Sequence, residues 1–224
     1  MKQSIPKQFL NVNDRPIIVY TMEAFQRHPD INSIAVVCID GWQEILIAYA
    51  RQFNITKLKW IINGGENGQS SIRNGVYELE KHCNMDDIIL VHDAIRPMLS
   101  QDIISHCITV CRAYGSAIAT IPCAEAILKK ETEECAAVTI PRETLVRTQT
   151  PQAFTLKKLS WAHREALERG ITDSIASCTM MIELGQPVYF STGSEKNIKI
   201  TTTDDLEIFK ALLNSQKDSW IKVS

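Results

Sequence analysis

Short apolar runs alternate with longer amphipathic stretches along the 224-residue chain, and this alternation is the feature that most constrains its fold. Several of the short runs are apolar almost throughout, as expected for strands that are covered on both faces. Alternating β and α units of this kind predict an α/β fold with a doubly wound, mainly parallel sheet. The predicted strands cover residues 33–39, 59–62, 88–92, 116–121 and 188–191, and the predicted helices cover residues 16–28, 42–53, 70–83, 101–114, 155–169 and 203–215.

One segment breaks this alternation. Residues 124–130 and 136–140 have the character of strands, and the charged residues 131–134 separate them. The pattern predicts a β-hairpin arm over residues 123–141, inserted before the last helices. An arm that projects from an α/β core is a natural docking site for a second subunit. Because no repeat, low-complexity tract or linker interrupts the sequence, residues 1–224 are expected to form a single domain.

Composition excludes several classes of function. The formal net charge is -2 and no run of Lys or Arg marks a nucleic-acid-binding face. No apolar stretch approaches a membrane span and the N-terminus lacks an apolar signal core, so a cytoplasmic location is expected. The cysteine count is seven, without a CxxC pair, which argues against a disulfide framework or a zinc site. Cys107 and Cys111, four apart on a predicted helix, are expected to pack in the core.

A glycine-rich stretch, GGENGQSS at residues 64–71, follows one predicted strand and opens a helix. Free backbone N–H groups and the positive end of the helix dipole make such a junction favourable for an anion or a nucleotide. The hydroxyl of Ser71 adds a further donor. Turns of this type are common in the predicted fold class, so the motif alone indicates a site without specifying its ligand.

The motif VHDAIRP at residues 91–97 places Asp93 directly after an apolar strand. Open α/β sheets bind their ligands at the carboxyl ends of strands, and a carboxylate there can hold Mg²⁺ between triphosphate oxygens. Arg96 is suited to a bidentate grip on a substrate phosphate. The alternative is an ion pair between Asp93 and Arg96 that closes a turn, and the residues alone support both interpretations equally.

Two lysines stand out by their position. Lys7 lies in a predicted loop before the first helix, where a lysine can reach a phosphate as a mobile point charge, although a solvated surface lysine is the better explanation of this residue taken alone. The sequence NIKIT alternates polar and apolar residues, which places Asn197, Lys199 and Thr201 on one face of a predicted strand. Lys199 is therefore a catalytic candidate, or alternatively a lysine that guards an edge strand.

A polar segment begins at Arg142 and ends in QTPQAF at residues 149–154, just ahead of a predicted helix. Polar residues clustered around a proline predict a shaped loop. Two interpretations explain this loop: it forms one wall of a binding site, or it simply leads the chain into the helix.

The order of these motifs is more specific than any one of them. PKQFL, GGxxxxxSxRNG, VHDAxRP, RxxLxxxQTPQAF and NIKIT, spread from Met1 to about Leu213, resemble the family of methylerythritol-phosphate and ribitol-phosphate cytidylyltransferases. The resemblance implies a Rossmann-like fold of the nucleotide-diphospho-sugar transferase type and a homodimer whose hairpin arms clasp. It also implies the reaction of CTP with a polyol phosphate to give CDP-polyol and pyrophosphate, with Mg²⁺.

The resemblance further implies a role for each residue singled out above. Lys7 and Lys199 would stabilise charge on the attacked α-phosphate, and Asp93 would sit at the metal. Such chemistry depends on positioning and charge neutralisation, without a protein nucleophile. The remaining assignments are Gly65 and Ser71 in the cytidine pocket, and Arg96 and Arg142 at the phosphate of the polyol.

The sequence also departs from the family pattern. Family members begin with a strand and a glycine-rich loop that ends Gly-x-Arg-Met, and Met1 stands where that methionine falls. The expectation is therefore an N-terminally incomplete domain, from an internal start or a truncation, which the upstream reading frame would decide. Ala126 replaces a threonine that offers a hydroxyl to the substrate phosphate, which leaves the polyol open between methylerythritol 4-phosphate, ribitol 5-phosphate and a relative, with a slight tilt away from the first.

Two other functions remain open from the sequence. The chain as written could act as a non-catalytic subunit that keeps the arm and part of the pocket, since the loss of triphosphate-binding donors should cost several powers of ten in rate. A nucleotidyltransferase that uses another nucleoside triphosphate is less well supported, because the base-selecting pocket involves the N-terminal loop. Pyrophosphate release from an N-terminally complete protein separates the enzyme from the subunit.

Overall fold

The computed structural model describes residues 5–217, which alternate between strands and helices as expected. Within these residues, no helix combines the length and the apolar character needed to cross a membrane. The strands are β1 (Asn11–Val12), β2 (Arg15–Pro16), β3 (Ile34–Cys38), β4 (Leu58–Asn63), β5 (Ile88–Val91), β6 (Ser116–Pro122), β7 (Ile127–Lys129), β8 (Val138–Ile140), β9 (Val146–Thr155) and β10 (Phe190–Thr192). The helices are α1 (Ile17–Arg27), α2 (Gln43–Gln52), α3 (Gly68–Leu79), α4 (Gln101–Tyr114), α5 (Leu156–Glu168), α6 (Ser177–Glu183) and α7 (Thr203–Lys217), with 3₁₀ turns at Lys7–Phe9 and Arg142–Thr144.

The predicted α/β class is confirmed, but the sheet is more mixed than the sequence indicated. A four-stranded sheet has the order β10-β6-β9-β5, and within residues 5–217 the only partner of β3 is β4. The pairs β3–β4 and β6–β10 are parallel, whereas β9 runs antiparallel to both β5 and β6. The expectation of a mainly parallel sheet is therefore wrong for the four-stranded sheet, because the segment interpreted as a shaped loop forms the long strand β9.

Helices cover both faces of the strands, which is the predicted doubly wound arrangement. On one face, Ile34 of β3 and Ile88 of β5 pack against residues of α1 and α4. On the other face, Ala35 of β3 and Ile89 of β5 pack against residues of α3 and α5. The strands β3 and β5 thus share both apolar layers, although the described residues contain no hydrogen-bonded ladder between them. Each of the two strands therefore keeps one unpaired edge within the described chain.

The hairpin is present, with strands shorter than expected. β7 and β8 pair antiparallel, with Ile127 opposite Ile140 and Lys129 opposite Val138. Apolar side chains on this hairpin face solvent, since Leu128 is 61% exposed and Val138 is 47% exposed. An exposed apolar surface of this kind suits a partner. The role of the arm in dimerisation stays a prediction.

Cys107 and Cys111 lie in the core, as expected for packing residues. Cys107 is 0% exposed and Cys111 is 1% exposed. Burial raises the pKa of Cys107 to about 12 and that of Cys111 to about 11, so both thiols stay protonated at neutral pH. Among the described residues, no group of three or more His, Cys, Asp or Glu side chains is arranged to hold a metal ion.

Two buried histidines should make the fold sensitive to acid. Burial lowers the pKa of both His92 and His163 to about 4, below the ordinary value of 6.5. Between these values the unfolded chain binds more protons, so the free energy of unfolding falls as the pH falls. We expect each histidine to contribute about 2 kcal/mol of this loss between about pH 7.5 and about pH 5, measured by urea unfolding.

His163 offers a direct check of this loss. Neither of its ring nitrogens has a hydrogen-bond partner among the described residues. His163→Phe removes the titrating group and fills the same core position, so the variant should lose about half as much stability on acidification. An equal acid loss in the variant and in the wild-type protein would contradict this assignment.

Candidate active site

Asp93 lies where β5 ends, at the carboxyl end of the strand. Its backbone N–H donates to Thr150 Oγ1 at 3.1 Å, and its carbonyl oxygen accepts from the N–H of Arg96 at 3.0 Å. The first bond fixes the turn to β9, and the second closes the turn itself. The carboxylate is consequently held at the edge of the sheet, as the sequence predicted.

Arg96 and Lys199 both contact the carboxylate of Asp93. Arg96 Nε lies 3.0 Å from Asp93 Oδ2, and Lys199 Nζ lies 3.3 Å from the same oxygen. The side chain of Arg96 is only 12% exposed, whereas those of Asp93 and Lys199 are 29% and 45% exposed. A second bond joins Arg96 Nη1 to the carbonyl oxygen of Asn197 at 2.7 Å. The ion pair that closes a turn is therefore present, and the phosphate grip of Arg96 stays a prediction.

Lys7 joins the same region from the start of the chain. Its ammonium group donates to the carbonyl oxygen of Thr201, two residues beyond Lys199. Asp205 fixes this segment, because it accepts from both the N–H and the hydroxyl of Thr201 at 2.8 Å. These hydrogen bonds, led by that of the Thr201 backbone, lower the pKa of Asp205 to about 2. Lys7 thus contacts the segment that carries Lys199, and Asp93 with its two ion-pair partners, Arg96 and Lys199, is called the Asp93 cluster below.

The segment that carries Lys199 is not the strand that the alternation of NIKIT predicted. Residues 197–201 are irregular, with backbone hydrogen bonds from the N–H of Asn197 to the carbonyl oxygen of Ser194 at 3.0 Å and from the N–H of Ile200 to that of Ile95 at 2.9 Å. Asn197 is 0% exposed while the side chain of Lys199 is 45% exposed, so the two do not share a face. The prediction was wrong because buried hydrogen bonds of Asn197, rather than a ladder, hold the segment.

The glycine-rich turn forms a separate corner at the end of β4. The N–H of Gly65 donates to Ser71 Oγ at 2.9 Å, and the Asn67 side chain caps α3 by accepting from the N–H of Ser70. A Cβ on Gly65 would lie 2.4 Å from Ser70 Oγ, so this close approach requires glycine. The capped turn presents the positive end of α3, which favours an anionic ligand. No described contact joins this corner to the Asp93 cluster.

Arg142 stands apart from the cations that converge on Asp93. It opens a 3₁₀ turn at the base of the arm, where Nη1 donates to the carbonyl oxygen of Ala124 at 2.8 Å. Its side chain is 56% exposed and pairs with Glu143 at 3.5 Å. No described contact links Arg142 to Asp93, whereas two of the other predicted cations, Arg96 and Lys199, pair with Asp93, and Lys7 contacts the segment that carries Lys199.

Sequence reasoning missed the burial of three polar side chains. Gln149 is 6% exposed and Asn197 is 0% exposed, and their side chains bond to each other through Gln149 Oε1 at 3.2 Å. Gln69 is 4% exposed and bonds both Ile171 O and the N–H of Ser174 at 2.7 Å. Glutamine and asparagine are mostly exposed residues, so their burial could be found only from the folded chain.

Comparison with known proteins agrees with the motif order. The family model for 2-C-methyl-D-erythritol 4-phosphate cytidylyltransferase matches residues 1–215. A ribitol-5-phosphate cytidylyltransferase of Lacticaseibacillus paracasei is 46% identical over 219 residues, which cover 97% of this chain and 94% of that protein. A 2-C-methyl-D-erythritol 4-phosphate cytidylyltransferase of Clostridium botulinum is 35% identical over 216 residues, covering 95% of this chain and 91% of that protein.

Solved structures give the same result at the level of the fold. The crystal structure of the 2-C-methyl-D-erythritol 4-phosphate cytidylyltransferase of Francisella tularensis superposes with a TM-score of 0.80 at 27% identity. The match covers 92% of this chain and 93% of that one. With a family model that spans nearly the whole chain and relatives above one third identity, the chain belongs to the 2-C-methyl-D-erythritol 4-phosphate cytidylyltransferase family.

Proposed function

We propose that this protein transfers CMP from CTP to ribitol 5-phosphate, giving CDP-ribitol and pyrophosphate. The observation that carries the choice of polyol is the 46% identity to a ribitol-5-phosphate cytidylyltransferase, against 35% to a methylerythritol-phosphate enzyme of similar coverage. Ala126 supports the same choice, because it lacks the hydroxyl expected at a methylerythritol-phosphate site. The cations around Asp93 support the transfer chemistry itself.

The reaction needs no protein nucleophile. A phosphate oxygen of ribitol 5-phosphate attacks the α-phosphorus of CTP, and the bond from that phosphorus to the oxygen bridging to the β-phosphorus breaks. Pyrophosphate leaves with that bridging oxygen and the bonding electrons. Charge accumulates on the α-phosphate oxygens during attack, and we assign its neutralisation to Lys7 and Lys199. Their contacts with Thr201 and with Asp93 support this assignment. The corner formed by Gly65 and Ser71 is our candidate for the cytidine pocket.

Asp93 is suited to a shared Mg²⁺ rather than to a metal site built by the protein alone. Its side chain is 29% exposed, and the described residues contain no metal-binding group of three or more carboxylate, thiol or imidazole side chains. Mg²⁺ commonly takes one or two carboxylates together with substrate phosphates, so one carboxylate at the cluster fits such an ion. When bound, Mg²⁺ would supply charge neutralisation to the triphosphate.

Product formation with different polyols tests the proposal. The protein is incubated with CTP, Mg²⁺ and either ribitol 5-phosphate or 2-C-methyl-D-erythritol 4-phosphate, and pyrophosphate release is followed. We expect kcat/KM to be at least about 100-fold higher for ribitol 5-phosphate, since a site built for polar groups rejects analogues that leave them unpaired. A preference for methylerythritol phosphate would overturn the choice of polyol, and no release with either would overturn the transferase.

We also propose a homodimer formed through the hairpin arms, in the cytoplasm. The exposed Leu128 and Val138 support the interface, because apolar side chains on a projecting hairpin are stabilised by burial against a partner. The cysteines described in the structure are all free thiols, which suits a reducing compartment. Sedimentation of the wild-type protein and of Leu128→Glu tests the interface, and a monomeric wild-type protein would contradict it.

Arg142 is assigned to the phosphate of the polyol, and its loss should affect one substrate. Arg142→Ala removes a charged donor to the phosphate of the polyol. We therefore expect KM for ribitol 5-phosphate to rise about 10- to 100-fold, with a small change in KM for CTP. Arg169 provides the control, because its side chain is similarly exposed and pairs with a neighbouring carboxylate on α5. Steady-state kinetics with each substrate varied in turn measure the effect. Equal rises in both KM values would count against the assignment.

A further inference from the structure

We propose that Gln149 and Asn197 are positioning residues that hold Lys199 against Asp93, a role that rests on the proposed function. Both side chains are neutral, buried and polar, at 6% and 0% exposure. Burying an amide is costly unless its hydrogen bonds are made. Gln149 makes bonds through both Nε2 and Oε1, and Asn197 makes them through Nδ2, whereas Asn197 Oδ1 has no partner among the described residues. Neither side chain contacts Lys199 directly, and they act through the backbone that precedes it.

Gln149 locks the loop that leads to Lys199. Its Nε2 donates to the carbonyl oxygen of Ser194 at 2.9 Å, and its Oε1 accepts from the N–H of Ser194 at 3.2 Å. The loop approaches so closely that a Cβ on Gly193 would lie 2.6 Å from Gln149 Oε1. A side-chain amide that both donates to and accepts from one residue imitates a strand ladder and fixes the loop in position and direction.

Asn197 extends this lock to the residues beside Lys199. Its Nδ2 donates to Gln149 Oε1 at 3.2 Å and to the carbonyl oxygen of Thr150 at 2.8 Å. Its own carbonyl oxygen accepts from Arg96 Nη1 at 2.7 Å. Asn197 therefore ties the segment both to β9 and to the arginine that pairs with Asp93.

Two adjacent residues of β9 consequently hold both Asp93 and the loop that leads to Lys199. Thr150 Oγ1 accepts from the N–H of Asp93, while Gln149, the preceding residue on the same strand, holds the loop of Lys199. Adjacent residues of β9 thus set the position of the carboxylate and of the ammonium group, which lie 3.3 Å apart. A small shift of this loop would move Lys199 away from the phosphate it is proposed to neutralise.

Kinetics of Gln149→Leu test the proposal. The leucine keeps the volume but makes none of the amide bonds, and we expect kcat to fall about 10- to 100-fold with little change in either KM, because misplacing a catalytic group costs rate rather than binding. Gln152→Leu is the matched control, since Gln152 lies on the same strand, is 2% exposed and bonds to Cys178, and its hydrogen bond to Gln149 goes to the backbone carbonyl oxygen rather than to the side chain tested here. The control should keep kcat within about twofold while losing similar stability.

A double-mutant cycle distinguishes positioning from a general loss of structure. If Gln149 acts through Lys199, Gln149→Leu should change kcat less than about twofold in a Lys199→Ala background. The same fold loss in both backgrounds would overturn the proposal. If Gln149→Leu does not fold, Gln149→Glu replaces it in the kinetic measurement and in the double-mutant cycle. The glutamate keeps the shape and the acceptor of the glutamine but loses the donor.

Amide hydrogen exchange gives a readout that does not need activity. Residues 193–199 should exchange faster in Gln149→Leu and be unchanged in Gln152→Leu, because only the former releases this loop. Unchanged exchange in Gln149→Leu would overturn the proposal even for an active enzyme. A wild-type protein that releases no pyrophosphate would instead refute the proposed function, while the exchange experiment still decides whether Gln149 holds the loop.

Discussion

Replacing Lys199 by alanine should lower kcat for CDP-ribitol formation about 1,000-fold, the largest effect we expect from a single substitution. Its side chain is 45% exposed next to the Asp93 carboxylate, and it is therefore available to a phosphate as well as to the ion pair. Removing a donor that neutralises developing charge typically costs about 10²- to 10³-fold in kcat. Single-turnover measurement of pyrophosphate release reports this step directly.

The neighbouring Lys196 provides the control for this substitution. It is an exposed lysine of the same loop, three residues earlier, and Lys196→Ala changes the net charge by the same amount. We expect that variant to keep kcat within about twofold, because an exposed charge outside the cluster is screened by solvent. A Lys199→Ala enzyme with near-normal turnover would remove Lys199 from the mechanism, whatever its effect on KM.

The α/β frame could be predicted from the sequence because its strands and helices each bury one apolar pattern. The helix α4 begins and ends at the predicted residues, since Ser100 caps its start and Gly115 ends it in the left-handed conformation. The strands β3, β4 and β5 likewise follow from apolar runs that helices cover on both faces. Patterns of this kind are local, and the fold satisfies them locally.

The strand β9 could not be predicted in the same way, because the sequence VRTQTPQAFT mixes polar residues with a proline. Its buried glutamines are satisfied by partners far along the chain, with Gln149 bonded to Ser194 and Gln152 bonded to Cys178. Such partners are invisible to a local pattern, so the segment has the character of a loop. The same long-range bonds explain why residues 197–201 were wrongly expected to form a strand.

The candidate site likewise contains features that a local pattern predicts and features that depend on the folded chain. The position of Asp93 follows from a rule about strand ends, and the structure places it there. The approach of Lys7 to Thr201 joins residues separated by 194 positions, which no spacing in the sequence encodes. For Arg96, the structure supplies what the residues left open, namely the ion pair with Asp93. The location of a charged residue could thus be predicted where one strand end determined it, whereas its partners depended on the folded chain.

Lys7 should be the second residue whose loss nearly abolishes turnover. Its ammonium group is exposed and bonded to the carbonyl oxygen of Thr201, so it can exchange that neutral acceptor for a phosphate oxygen. Phe9, on the same 3₁₀ turn, stacks on Trp42 at 4.5 Å between ring centroids and anchors the turn. We expect Lys7→Ala to lower kcat about 100- to 1,000-fold and to leave the unfolding midpoint nearly unchanged.

Lys57 is the control that distinguishes the effect of the Lys7 charge from the effect of its hydrogen bond to a backbone carbonyl oxygen. Lys57 Nζ also donates to a backbone carbonyl oxygen, that of His28 at 2.7 Å, but at a place away from the Asp93 cluster. If the bond to a carbonyl were all that mattered, Lys57→Ala and Lys7→Ala would have similar small effects on stability and none on kcat. If Lys7 neutralises the α-phosphate, only Lys7→Ala loses turnover. Lys7→Arg should then recover part of the rate, because it restores the charge but not the compact ammonium geometry.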